Sequence, residues 1–150
     1  MAFPVRNRSG VGELAQGDEL FLLTTRACFG NPKKDRTRIA GRARVGSGVV
    51  KLDEPLELAG RIFDRGCDLR MESIAPFRTG VELLPLVPRL DAFPNKSAWA
   101  WWLRRPVLRL SAKDARLLAG RLEGVSEAPR KAIPGYLDWI RAHPKGHPRG

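Results

Sequence analysis

Short apolar runs separated by turn residues dominate the chain, a rhythm of strands more than of helices. Leu20–Leu23 is a continuous apolar run ending in Thr24 and Thr25. Its shortness and the preceding Gly17-Asp18 turn predict a buried strand over 20–25. Arg38–Val45 alternates: Ile39, Gly41, Ala43 and Val45 fall on one face, and Arg38, Ala40, Arg42 and Arg44 on the other. Gly41 in mid-strand predicts a bend or a close approach to the backbone. Val49–Leu58 is a weaker strand, broken by Asp53-Glu54-Pro55. Cys67–Met71 alternates again, with Cys67, Leu69 and Met71 inward. Val81–Leu90, interrupted by Pro85 and Pro88, fits an edge strand or a short irregular helix. Trp99, Trp101 and Trp102, read as strand, lead through Arg104-Arg105-Pro106 into a further strand at Val107–Leu110.

Helical signals are fewer. Ser111 followed by Asp114 is a capping-box variant. Ala115, Leu118, Ala119 and Leu122 then supply a helical stripe that Gly124 ends. Pro134–Ala142 predicts one more short helix. Residues 1–18 read as loop apart from a helical turn at Val11–Ala15, and 143–150 read as a disordered basic tail. The pattern predicts an α+β domain: a small mixed β pseudo-barrel of about five strands with flanking helices. It covers residues 1–125, with residues 126–150 forming a short helix and tail.

Composition narrows the class. The formal charge of +11 in 150 residues favours phosphate backbones or an anionic surface. Seven of the cations (Arg26, Lys33, Lys34, Arg36, Arg38, Arg42, Arg44) lie between Arg26 and Arg44 against one acid, Asp35, a surplus of six. Two distant cysteines, Cys28 and Cys67, fit a reduced intracellular chain. The N-terminal residues carry no signal-peptide pattern, and no apolar stretch is long enough for a membrane span. These features predict a cytoplasmic protein with no membrane partner.

The basic segment has two readings: phosphate contacts from Arg38, Arg42, Arg44 and the loop cations, or a solvated strand face. The loop Thr24–Asn31 likewise reads either as a base-reading edge or as a locally satisfied turn with Phe29 in the core. The tryptophans read as core or as a wall for a planar ligand. The only histidines, His143 and His147, stand among Pro and Gly, where nothing would hold them for acid–base work. The sequence therefore predicts no catalytic residue, metal or cofactor. The best alternative enzyme set, Thr25, Lys33 and Asp35, has no compelling spacing.

Three segments together resemble the EVE family of the PUA-like superfamily, which also holds the ASCH and YTH domains. They are Gly17-Asp18 before a strand ending in hydroxyl residues, Ile39-Ala40-Gly41…Val45, and the unit Arg105–Asp114. The likeness covers about residues 10–123, and Thr24–Arg38 looks like an actinobacterial branch of EVE-like proteins. The resemblance implies a PUA-like pseudo-barrel whose cleft accepts a modified nucleobase flipped from DNA or RNA. Thr24 and Thr25 match the strand end facing that cleft, Gly41 matches the glycine of the neighbouring strand, and Trp99 or Trp101 would form its aromatic wall. With Phe29 and Asn31 these are the base-pocket candidates. EVE-like chains usually begin with an aromatic-bearing strand that has no match here. Either the reading frame starts at an internal Met, or one barrel edge is exposed. The loop Ala27–Thr37 is also longer and more basic than an EVE core needs. The leading expectation is a non-catalytic nucleic-acid-binding domain. The alternatives are an ASCH-like hydrolase of modified nucleosides and a basic protein-interaction module.

Overall fold

A computed structural model describes residues 1–6, 9–58 and 60–143. Its centre is the alternating segment itself, Arg38–Val45, preceded by two further strands. In chain order the strands are β1 (Ala2–Pro4), β2 (Glu19–Thr24), β3 (Arg38–Val45), β4 (Val50–Leu58), β5 (Arg61–Gly66), β6 (Leu69–Ile74) and β7 (Val81–Glu82). All pairings are antiparallel. One sheet runs β2-β3-β6 with β7 on the end of β3, and the other runs β1-β5-β4. The fold is thus mixed α+β with two sheets that do not close into a barrel.

The face of β3 expected inside is inside: Ile39, Gly41, Ala43 and Val45 are buried, with Ala40 buried as well. Gly41 is needed because β6 presses on it. A Cβ there would lie 2.9 Å from the Ser73 carbonyl oxygen, so this glycine answers sheet packing. Against β3 packs helix α2 (Ala112–Glu123), whose Leu118 and Leu122 join Ile39, Leu83, Leu90 and Phe93 in the main core. Burying each leucine contributes about 2 kcal/mol. A second cluster, Phe3, Val11, Val45 and Cys67, links the two sheets.

Several elements differ from expectation. Residues 2–4, read as loop, pair with β5, and Phe3 is buried. The strand β5 itself was not foreseen. Its Arg61-Ile62-Phe63-Asp64-Arg65 carries no clean period, and it is ordered by two neighbours rather than by one apolar face. Cys67 lies just outside β6. The tryptophans form a helical turn, α1 (Trp99–Trp102), not a strand. Asn95 starts that turn: its Oδ1 accepts hydrogen bonds from the Ser97 and Ala98 amides. Val107–Leu110 is not paired as a strand. The last helix, α3 (Pro129–Ala142), begins five residues before Pro134, with Pro129 at its first position. The helical turn at Val11–Glu13 and the irregular helix at Leu84–Arg89 lie where the pattern put them. Among the described residues no helix is long and apolar enough to cross a membrane. The tail 144–150 lies outside the described residues.

Candidate nucleic-acid interface

The arginines of β3 have acidic neighbours that lie across the sheet, not along the chain. Arg42 Nη2 is 2.6 Å from Glu19 of β2, and its Nε is 3.4 Å from Glu72 of β6. Arg44 Nε donates to Glu72 at 3.0 Å, and its Nη1 donates to the Gly17 carbonyl at 3.0 Å. The Glu19 hydrogen bond holds the Arg42 guanidinium above its ordinary range. Arg38, 17% exposed in its side chain, donates to the Arg78 carbonyl at 2.9 Å and pairs with Glu82 at 3.2 Å. The single acid counted along the segment therefore misjudged its charge, because register brings Glu19, Glu72 and Glu82 onto it.

The loop between β2 and β3 is built around Asp35, 2% exposed. Its Oδ2 accepts from the Phe29 and Asn31 amides at 3.1 and 2.8 Å, and its Oδ1 lies 3.1 Å from Arg78 Nε. Arg78 also donates to the Phe29 carbonyl at 3.0 Å. Phe29 packs edge-on against Phe77 and Trp139, with Tyr136 beyond. Asn31 Oδ1 accepts from the Lys33 and Lys34 amides, closing the turn. Thr24 Oγ1 donates to the Arg38 carbonyl at 3.4 Å. Asp35 is thereby committed to the loop, which leaves the Thr25–Lys33–Asp35 set without a free carboxylate.

This scaffold turns Arg26, Lys33, Lys34 and Arg36 outward. All four are exposed. Arg26 Nε donates to the Pro32 carbonyl at 3.3 Å, and none of the four has a carboxylate partner among the described residues.

Of the tryptophans, Trp99 packs edge-on against Phe93 and Trp102 lies against the core. Trp101 is 62% exposed, with the Arg104 guanidinium 4.5 Å above its ring; Arg105 sits 4.7 Å from Trp102 in the same way. An i, i+3 pairing of Trp and Arg on a helical turn was legible in Trp101-Trp102-Leu103-Arg104-Arg105 and was missed by reading the segment as strand.

A groove of about 980 Å³ runs beside β2, lined on one wall by Leu20–Leu23 and Thr25 and on the other by Trp102 and Arg105–Leu110. Of the base-pocket candidates it brings in Thr25 alone. Thr24, Phe29, Asn31, Gly41, Trp99 and Trp101 do not line it.

The cysteines are free. Loss of hydration, with Asp35 second, pushes the Cys28 thiol up to about 11, and burial raises Cys67. His143 is held after all: it caps α3, stacks on Trp139 at 4.7 Å and has Nδ1 2.9 Å from the Trp139 carbonyl oxygen. His147 lies outside the described residues. No protein-family model matches the chain, and no curated protein matches it.

Proposed function

We propose that the protein is a non-catalytic nucleic-acid-binding domain of PUA-like, EVE-type architecture. Its basic loop tracks phosphates, and its Trp–Arg turn stacks a base, modified bases included. One observation carries the reading. Among the described residues the four loop cations are exposed without carboxylate partners, whereas Arg38, Arg42 and Arg44 are each paired. Unpaired cations release counterions from phosphate at no internal loss. The exposed Trp101 with Arg104 adds a face on which any base can stack. Thr25 and Trp102 line the same groove, so loop and turn flank one opening. A leading strand with a buried aromatic, Phe3, also fits the EVE-like pattern.

The test is fluorescence anisotropy with a single-stranded oligonucleotide at about 50 mM salt. Binding is expected, and Trp101→Ala should weaken it roughly 5- to 150-fold, the range of one lost base stack. Absence of binding at that salt overturns the proposal.

A further inference from the structure

Arg78 ties the basic loop down from outside. It belongs neither to the loop nor to its flanking strands but to the bend between β6 and β7, where its backbone is left-handed at φ 63°. Among the described residues one other non-glycine residue has such a φ, Ala27 at 65°, inside the loop. Left-handed backbone is costly for any residue with a Cβ, and it persists only where surrounding contacts impose it. The two strained residues stand on the two segments that Arg78 joins.

The contacts form a chain. Arg78 Nε faces Asp35 Oδ1 at 3.1 Å, and Nη2 donates to the Phe29 carbonyl at 3.0 Å. Asp35 Oδ1 and Arg78 Nε are buried, and among the described residues neither has another partner. The guanidinium carbon lies 5.3 Å from the Phe77 ring centre and 6.0 Å from that of Phe29. The Arg78 carbonyl accepts from Arg38 Nη1 at 2.9 Å, which fixes the clasp to β3. Asp35 in turn takes the Asn31 amide, and Asn31 Oδ1 takes those of Lys33 and Lys34. Through these links Arg78 sets the backbone that presents Lys33 and Lys34, and Arg36 follows Asp35 directly. With Nε and Nη2 turned into the loop, the guanidinium is committed there and not to solvent.

We propose that Arg78 is a positioning residue for nucleic-acid binding. With Asp35 it holds the loop in the shape in which its cations meet the phosphate backbone, and it touches no phosphate itself. The inference rests on the nucleic-acid reading above and deepens it. A loop already fixed avoids the ordering cost at binding. Loosening it lowers affinity by the fraction of time that the binding shape is held.

Two full-length variants test it, titrated with the single-stranded oligonucleotide by anisotropy at several salt concentrations and checked to be folded by tryptophan fluorescence. Asp35→Asn keeps the side chain's shape but cannot answer the guanidinium. It makes the chain more positive by one charge, so charge alone predicts tighter binding, whereas loss of the clasp predicts binding about tenfold weaker. Arg78→Met keeps the stem and removes the fork. It should also bind about tenfold more weakly, with the salt slope at its wild-type value, because the slope counts phosphate contacts. A role in fold stability alone would leave the affinity of the folded variants unchanged. In Lys33→Ala/Lys34→Ala/Arg36→Ala protein, Arg78→Met should matter less than about twofold, since the loop no longer carries those cations. Tighter or unaltered binding by Asp35→Asn overturns the proposal. So does Arg78→Met with wild-type affinity, or with a slope shallower by about 0.7, which would make Arg78 a phosphate contact. Either variant decides alone if the other does not fold. Absence of wild-type binding overturns the nucleic-acid reading and this proposal together; wild-type binding with unaltered variants overturns this proposal only.

Discussion

Cys28 shows how one residue's surroundings decide its chemistry. An exposed cysteine in a basic loop would ordinarily gain thiolate character from nearby cations. Here lost hydration and the buried Asp35 carboxylate outweigh the Arg78 cation, and the thiol rises to about 11. In a Cys67→Ser background, iodoacetamide at about pH 9 should alkylate Cys28 roughly 50-fold more slowly than a free thiol of pKa 9.0. The rate should climb steeply only toward pH 11. The raised value also sets a sign for stability. Between about pH 9 and 11 the folded state keeps a proton that the unfolded chain has released, so stability falls as pH rises through that window. Cys28→Ser should flatten this alkaline loss in urea titrations. Alkylation as fast as that of a free thiol would mean that the loop does not hold Cys28 beside Asp35.

At the level of elements, α2 is tied down at its start twice. Ser111 Oγ accepts from the Asp114 amide at 3.1 Å. Asp114, fully buried, accepts from the Asp91 and Ala92 amides at 2.9 and 2.8 Å. Ser111→Ala should cost about 1 kcal/mol, a normal cap loss. Asp114→Ala should cost about 3 kcal/mol, because it takes the acceptor from two half-buried amides and empties a fully buried site. Urea unfolding followed by tryptophan fluorescence measures both, with an unchanged slope as the control. The cap was legible in the sequence, since Ser111 and Asp114 interact within one turn. The clasp on Asp91 was not, because its partner lies 23 residues away. The same division runs through the molecule. β2, β3 and α2 were readable from local period and caps. β1, β5 and the unpaired Val107–Leu110 depend on which neighbour reaches them. The candidate site divides likewise: the loop cations were visible as a run, but the carboxylates that occupy Arg38, Arg42 and Arg44 come from other strands.

For the whole molecule, the question is which part of a +11 charge acts on a partner. Arg42 and Arg44 are held by Glu19 and Glu72, so moving them onto phosphate would break one ion pair to make another. The loop cations have no such loss. Four phosphate contacts predict a log–log salt slope near −2.8 on single strands, a fall of roughly 50-fold between about 50 and 200 mM salt. Lys33→Ala/Lys34→Ala/Arg36→Ala should reduce that slope to about −0.7. Arg42→Ala/Arg44→Ala changes net charge nearly as much but should leave the slope close to wild type. Charges that do not touch the strand are screened over about 7–14 Å in this salt range. If the strand double variant flattens the slope as far as the loop variant, then β3 is the phosphate track and its carboxylates give way on binding. The loop would then be a solvated turn.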